Sequence, residues 1–146
     1  MRTIAELIEG HPLFHADSEE TVRDVARKMS EKNVGALAVL RGGTLVGIFS
    51  ERDIMARVVA PGLDPDRTSV ASVMTRDIVV AEPNEKLDDA LQKMQSLKCR
   101  HLPVVKDGNL LGMVSIRDLL EVDDADKRER ATFLRELVTY SPDYDS

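Results

Sequence analysis

The sequence predicts an α/β fold: two pseudo-twofold-related repeats, each β-α-β-β-α, packed through their sheets and flanked by terminal helices. Three observations predict it. The chain of 146 residues contains itself twice, because a shift of 65 lays Gly47-Ile48-Phe49-Ser50-Glu51-Arg52-Asp53-Ile54 on Gly112-Met113-Val114-Ser115-Ile116-Arg117-Asp118-Leu119 without a gap. About a third of the positions from Ala16 to Ile54 match their partners from Ala81 to Leu119. Each copy also reads as strand, helix, strand, turn, strand, helix, with a glycine-bearing turn between two apolar strands. Such a pair buries between its halves what neither covers alone, and it creates paired, near-equivalent clefts there.

Residues 1–12 are expected as an N-terminal helical flank, since 2–9 place apolar residues at roughly helical spacing. The first repeat, 13–59, opens with a short strand over Leu13–Ala16. Asp17 or Ser18 can then cap a helix whose buried stripe is Val22, Val25, Ala26 and Met29. Strands follow at Ala36–Leu40 and Leu45–Phe49, joined by Arg41-Gly42-Gly43-Thr44, and a helix opens at Ser50. The linker, 60–77, holds Pro61, Gly62 and Pro65 before a helical turn over Val70–Met74. The second repeat, 78–123, opens with Ile78-Val79-Val80. Its helix starts at Pro83 and carries Leu87, Ala90, Leu91, Met94 and Leu97. Strands at Leu102–Val105 and Leu110–Val114 flank Lys106-Asp107-Gly108-Asn109, and a helix opens at Ser115. In the last segment, 124–146, Ala131, Leu134, Leu137 and Val138 share one helical face and the closing residues fray.

Composition excludes several classes. No apolar run approaches the roughly 20 residues that span a bilayer. A net charge of -6, no Trp and 3% aromatic residues argue against wrapping nucleic acid. The lone Cys99 excludes an internal disulfide and a cysteine zinc cage. Glu6 stands where a secretion signal would be apolar, which points to a cytoplasmic protein.

The repeated element is Gly, two apolar residues, Ser, any residue, Arg, Asp. Ser50 and Ser115 fit helix N-caps with an acid three residues on. The same pattern fits a nucleotide site. A glycine lets a ligand approach the backbone, a helix start offers N–H groups to an anion, and Asp53 or Asp118 can accept both hydroxyls of a ribose. The two readings are compatible.

These residues resemble the tandem cystathionine-β-synthase (CBS) domain pair, or Bateman module, of the stand-alone two-repeat type. Arg100-His101-Leu102-Pro103-Val104-Val105, Val34-Gly35-Ala36-Leu37 and Val73-Met74-Thr75 carry the resemblance with the repeated element, over almost all of Leu13–Val122. The resemblance implies an adenosine ligand between the repeats: AMP first, with ADP, ATP, NAD or S-adenosylmethionine as alternatives. It implies ribose contacts at Asp53 and Asp118, and phosphate-side hydroxyls at Ser50 and Ser115. Adenine contacts fall at Ile48, Met113, Val34, Gly35, Ala36, Cys99, Arg100 and His101, and on the segments around Pro12 and Leu13 and around Thr75, Arg76 and Ile78. Basic phosphate contacts match Arg100 and His101, where the first repeat has Gly35 and Ala36. The Asp118 cleft is therefore expected to hold phosphate more tightly, with affinity rising from pH 8 to 6 as His101 protonates.

Arg52 and Arg117 suit either solvated helix starts or a phosphate. His11 and His15 lack the glutamate of a zinc helix, so no metal site is expected. Cys99 reads as a small core residue, and Glu121–Arg130 as a solvated charged face. No set of nucleophile, base and orienter marks an enzyme. The expectation is a regulatory homodimer that binds an adenine nucleotide and answers to an unidentified partner protein. The alternative is a ligand-free interaction module.

Overall fold

The computed structural model describes residues 2–119 and Arg135; the expected helical face over 131–138 and the closing tail otherwise lie outside the described residues. In chain order the elements are α1 (Ile4–Ile8), β1 (His15–Asp17), α2 (Val22–Lys32), β2 (Ala36–Arg41), β3 (Thr44–Ser50), α3 (Glu51–Asp53), a π-helical stretch (Ile54–Val59), α4 (Val70–Val73), α5 (Leu87–Leu97), β4 (His101–Lys106), β5 (Asn109–Ser115) and α6 (Ile116–Leu119). They form a mixed α/β protein of two compact units. One is mainly Leu13–Val79; the other is mainly the first twelve residues, Val80–Lys106 and the described residues from Leu111.

In the first unit β1 runs parallel to β2 and β2 antiparallel to β3, in the order β1-β2-β3. The first four residues of β2, Ala-Leu-Ala-Val, are all buried, as a central strand requires. Leu37 and Val39 pack with Ala16, Val25, Phe49, Val58 and Val70 in one core. The β2–β3 turn places Gly42 and Gly43 at φ 58° and 83°, the left-handed pair that a two-residue hairpin needs. Asp107 and Gly108 do the same at 52° and 81°.

The cap of α2 is Thr21, whose hydroxyl accepts from Asp24 N at 3.2 Å, and not Asp17 or Ser18. Those two residues belong to the sheet. Asp17 ends β1, and Ser18 N extends the parallel ladder by donating to Leu40 O at 2.8 Å. The strand accordingly lies about two residues later than its apolar residues suggest.

The second unit repeats the plan with its first strand reduced to one bridge. Ala81 pairs in parallel with Val104, the counterpart of Ala16 with Val39, while Ile78-Val79-Val80 forms no strand. Proline explains the loss. Pro83 stands where Ser18 donates to Leu40, and Pro103 stands in β4 where Ala38 stands in β2; neither has an N–H for the ladder. Pro83 also does not open a helix, because α5 begins at Leu87 behind Lys86, which has no capping side chain.

The N-terminal flank and the linker have matching roles. Ile4 N donates to Glu85 O at 2.9 Å and Leu87 N to Arg2 O at 3.2 Å; in the other unit Val70 N donates to Glu20 O at 2.8 Å and Val22 N to Thr68 O at 2.9 Å. A lysine clip is repeated as well. Lys28 Nζ donates to His15 O and Glu20, and Lys93 Nζ to Val80 O and Glu85.

Candidate functional site

At the end of β3 and of β5, a serine turns the strand into a short helix. Ser50 Oγ accepts from Asp53 N at 3.3 Å, and Asp53 Oδ2 accepts from Ser50 N at 2.9 Å, a reciprocal capping box. Ser115 and Asp118 repeat it at 3.1 and 2.8 Å. The next amide is engaged too: Glu51 N donates to Gly35 O and Ile116 N to Arg100 O, both at 3.0 Å. This corrects one expectation. The helix starts do not offer a row of open N–H groups to an anion, because the cap and the neighbouring strand opening already use three of them. A phosphate here would depend on side chains.

The glycines answer to the chain itself. A Cβ on Gly47 would stand 2.6 Å from Met74 Sδ and 2.8 Å from Thr75 O. The space expected for a ligand is taken by the segment after α4, which pairs with the strand through Ile48 N to Thr75 O at 2.9 Å and Thr75 N to Ile48 O at 2.8 Å. Gly112 likewise faces Ile8, at 3.2 Å.

Of the residues picked out by sequence, Leu13, Val34, Gly35, Ala36, Ile48, Ser50, Arg52, Asp53, Thr75, Arg76 and Ile78 fall in the first unit. Pro12, Cys99, Arg100, His101, Met113, Ser115, Arg117 and Asp118 fall in the second. In the first, Ser50, Asp53, Ile48 and Thr75 meet. Thr75 Oγ1 donates to Asp53 Oδ1 at 3.1 Å, and Asp53 is buried. Arg76 donates to Ala71 O at 2.8 Å and holds the α4 segment. Val34 packs on the core, whereas Pro12 and Leu13 are exposed. In the second unit, His101 begins β4 with the charges of Asp118, Arg100 and Arg117 around it. Burial is the main influence and lowers its pKa to about 4; Asp118 opposes the shift, and the two arginines add to it. Burial pushes the Cys99 thiol up, away from reactivity.

Arg57 escaped sequence reasoning. Its Nε lies 3.8 Å from Asp53 Oδ1, and its Nη1 donates to Met74 O at 2.8 Å and to Val73 O at 3.3 Å. The signal was an arginine four residues after an acid at a helix start.

The comparisons agree with this architecture. The model of the CBS domain family matches residues 4–60 and again 70–124. The protein YhcV of Bacillus subtilis, a CBS domain-containing protein, is 40% identical over 100 residues, 68% of this chain and 71% of that one. CBSX3 of Arabidopsis thaliana, described as mitochondrial, is 35% identical over 117 residues, 77% of this chain; the match spans 57% of the relative's length. Among solved structures, a CBS-domain signal-transduction protein of Burkholderia ambifaria superposes with a TM-score of 0.79 at 32% identity, covering 86% of this chain and 96% of that one. PAE2072 of Pyrobaculum aerophilum, solved in complex with AMP, gives 0.78 at 30%, covering 90% and 99%. Two repeats, each closing on a Ser-x-x-Asp cap, define a tandem-repeat α/β protein. The chain belongs to the CBS-domain family.

Proposed function

We propose that this chain is a regulatory module that binds an adenine nucleotide, AMP first, with ADP, ATP, NAD and S-adenosylmethionine as the other candidates. One observation carries the reading: a half-buried aspartate, Asp118, is locked by a serine at the end of β5 in a chain whose relative PAE2072 was solved with AMP. A carboxylate accepts at two oxygens, which suits the two hydroxyls of a ribose. In the second unit Arg100, His101 and Arg117 supply the polar side chains for a phosphate.

The module works as a homodimer in the cytoplasm, and nucleotide occupancy biases its shape towards or away from a partner protein. Support for self-association lies in the first unit. A groove of about 340 Å³ between α2 and the π-helical stretch is lined by apolar residues, among them Val22, Ala26, Ile54, Val58 and Val59, together with Arg23, Arg27 and Ser30; Val59 is 68% exposed and the adjoining Met55 56%. No catalytic role is assigned.

Native mass spectrometry of freshly purified protein, with melting curves in each candidate ligand, tests the reading. Carried nucleotide, or a melting temperature raised by an adenosine compound, is the expected result. The internally satisfied caps favour a second reading, a ligand-free interaction module. Protein that carries nothing and whose melting no adenosine compound shifts would establish that one instead.

A further inference from the structure

We infer that the two aspartates have parted roles: Asp118 is the acid open to a ligand's diol, and Asp53 is a structural clamp that takes no ligand. The inference rests on the nucleotide reading above and narrows it to one site per chain.

The bonds of the two carboxylates differ. Asp53 uses both oxygens. Oδ2 accepts from Ser50 N at 2.9 Å and Ser50 Oγ at 3.2 Å, while Oδ1 accepts from Thr75 Oγ1 at 3.1 Å and faces Arg57 Nε at 3.8 Å. Its side chain is 7% exposed. Asp118 is half-buried; its Oδ2 accepts from Ser115 N at 2.8 Å, and among the described residues its Oδ1 accepts no hydrogen bond.

Among the described residues the second repeat has no such clamp, and the sequence shows why. The position 65 residues after Arg57 is Val122. Setting Arg2-Thr3-Ile4 on Thr68-Ser69-Val70, as their matching backbone bonds require, puts Glu9 at the place of Thr75. Neither valine nor glutamate carries a hydroxyl or a guanidinium.

Charge separates the sites further. In the first repeat a Cβ on Gly35 would stand 3.3 Å from a carboxylate oxygen of Glu51. The second repeat has Arg100 and Ile116 at those positions. A phosphate near Ser50 would meet an acid where one near Ser115 meets a base. A diol at Asp53 must also displace a hydroxyl and loosen an arginine that holds the last carbonyls of α4. At Asp118 it fills an acceptor that no described residue occupies.

Calorimetry with AMP and melting curves test this on the full chain. The wild type should bind one AMP per chain. Asp118→Asn keeps the cap acceptor, so it should melt within about 2 °C of wild type and lose at least roughly tenfold in AMP affinity. Asp53→Asn and Arg57→Met should keep affinity within about twofold yet melt lower by about 5 °C. Should Asp53→Asn fail to fold, Thr75→Val, which removes only the hydroxyl, carries the same expectation. Two equivalent AMP sites per chain, or equal affinity losses in the Asp53 and Asp118 variants, would overturn the division. A wild type that binds no AMP would overturn the nucleotide reading itself. That failure is recognisable because the Asp118 variant then has no affinity to lose, while Asp53→Asn and Arg57→Met still melt lower.

Discussion

At the scale of single residues, His101 shows how a location changes a chemical role. An ordinary histidine titrates near 6.5, and burial brings this one to about 4. Between those values the unfolded chain binds a proton that the folded chain refuses. The stability His101 supports is therefore complete above about pH 6.5 and is lost as pH falls towards 4. Urea unfolding of wild type and His101→Gln at pH 7 and pH 4.5 should show the wild type losing about 2 kcal/mol more than the variant; equal losses would return His101 to ordinary titration. The same shift bears on the expected pH dependence of binding. In the ligand-free chain His101 is neutral from pH 8 to 6, so it adds to the pH dependence of AMP affinity there only where a bound phosphate lifts its pKa by about two units; without that lift, affinity follows the phosphate's own second protonation, near pH 6. Calorimetry should give wild type and His101→Ala the same slope, and a steeper wild-type slope would restore the cationic role.

At the scale of elements, glycine and proline mark where the two repeats diverge. Gly47→Ala drives a methyl into Met74 and the Thr75 carbonyl, and chemical denaturation should show a loss of about 2–3 kcal/mol. Gly112→Ala meets only the flexible end and branch of Ile8 and should lose less than about 1 kcal/mol. Similar losses would mean that both segments yield equally. The helix starts differ in a similar way, since α2 has Thr21 where α5 has Lys86 at an extended φ of -80° and ψ of 152°. Lys86→Thr copies the working cap and should stabilise by about 0.5–1 kcal/mol, read from the urea midpoint. The β2–β3 and β4–β5 hairpins were legible in Gly42-Gly43 and Asp107-Gly108, because the turn chemistry is local. The start of α2 was not. Asp17, Ser18 and Thr21 all suit a cap, and only the parallel partner β2 decides which of them remain in the sheet.

At the scale of the whole molecule, the uncovered apolar surface argues for a second copy. Met55 is exposed, and Val59 lines a groove whose walls are mainly aliphatic, with Arg23, Arg27 and Ser30 among them. Light scattering at tens of micromolar should find a particle of about twice the chain mass. Val59→Glu, which sets a charge on that surface, should shift it towards the monomer. A monomeric wild type would remove the dimer from the proposal, and an unchanged Val59→Glu particle would place the contact elsewhere.

By itself the sequence determined the duplication, the α/β class, the paired hairpins and the serine–aspartate caps, because each follows from residue order over a few turns of chain. Tertiary structure alone decided which residues those caps serve. Thr75 and Arg57 reach Asp53 across 22 and four residues respectively. Met74 fills the space that Gly47 leaves. The fold also gives Arg2–Ile8 and Thr68–Met74 matching places, although few of their side chains are alike. The physical reason is common to all three. A hydrogen bond or van der Waals contact acts within a few ångströms in space, and the sequence specifies which distant segments come that close only through the packing of the entire unit.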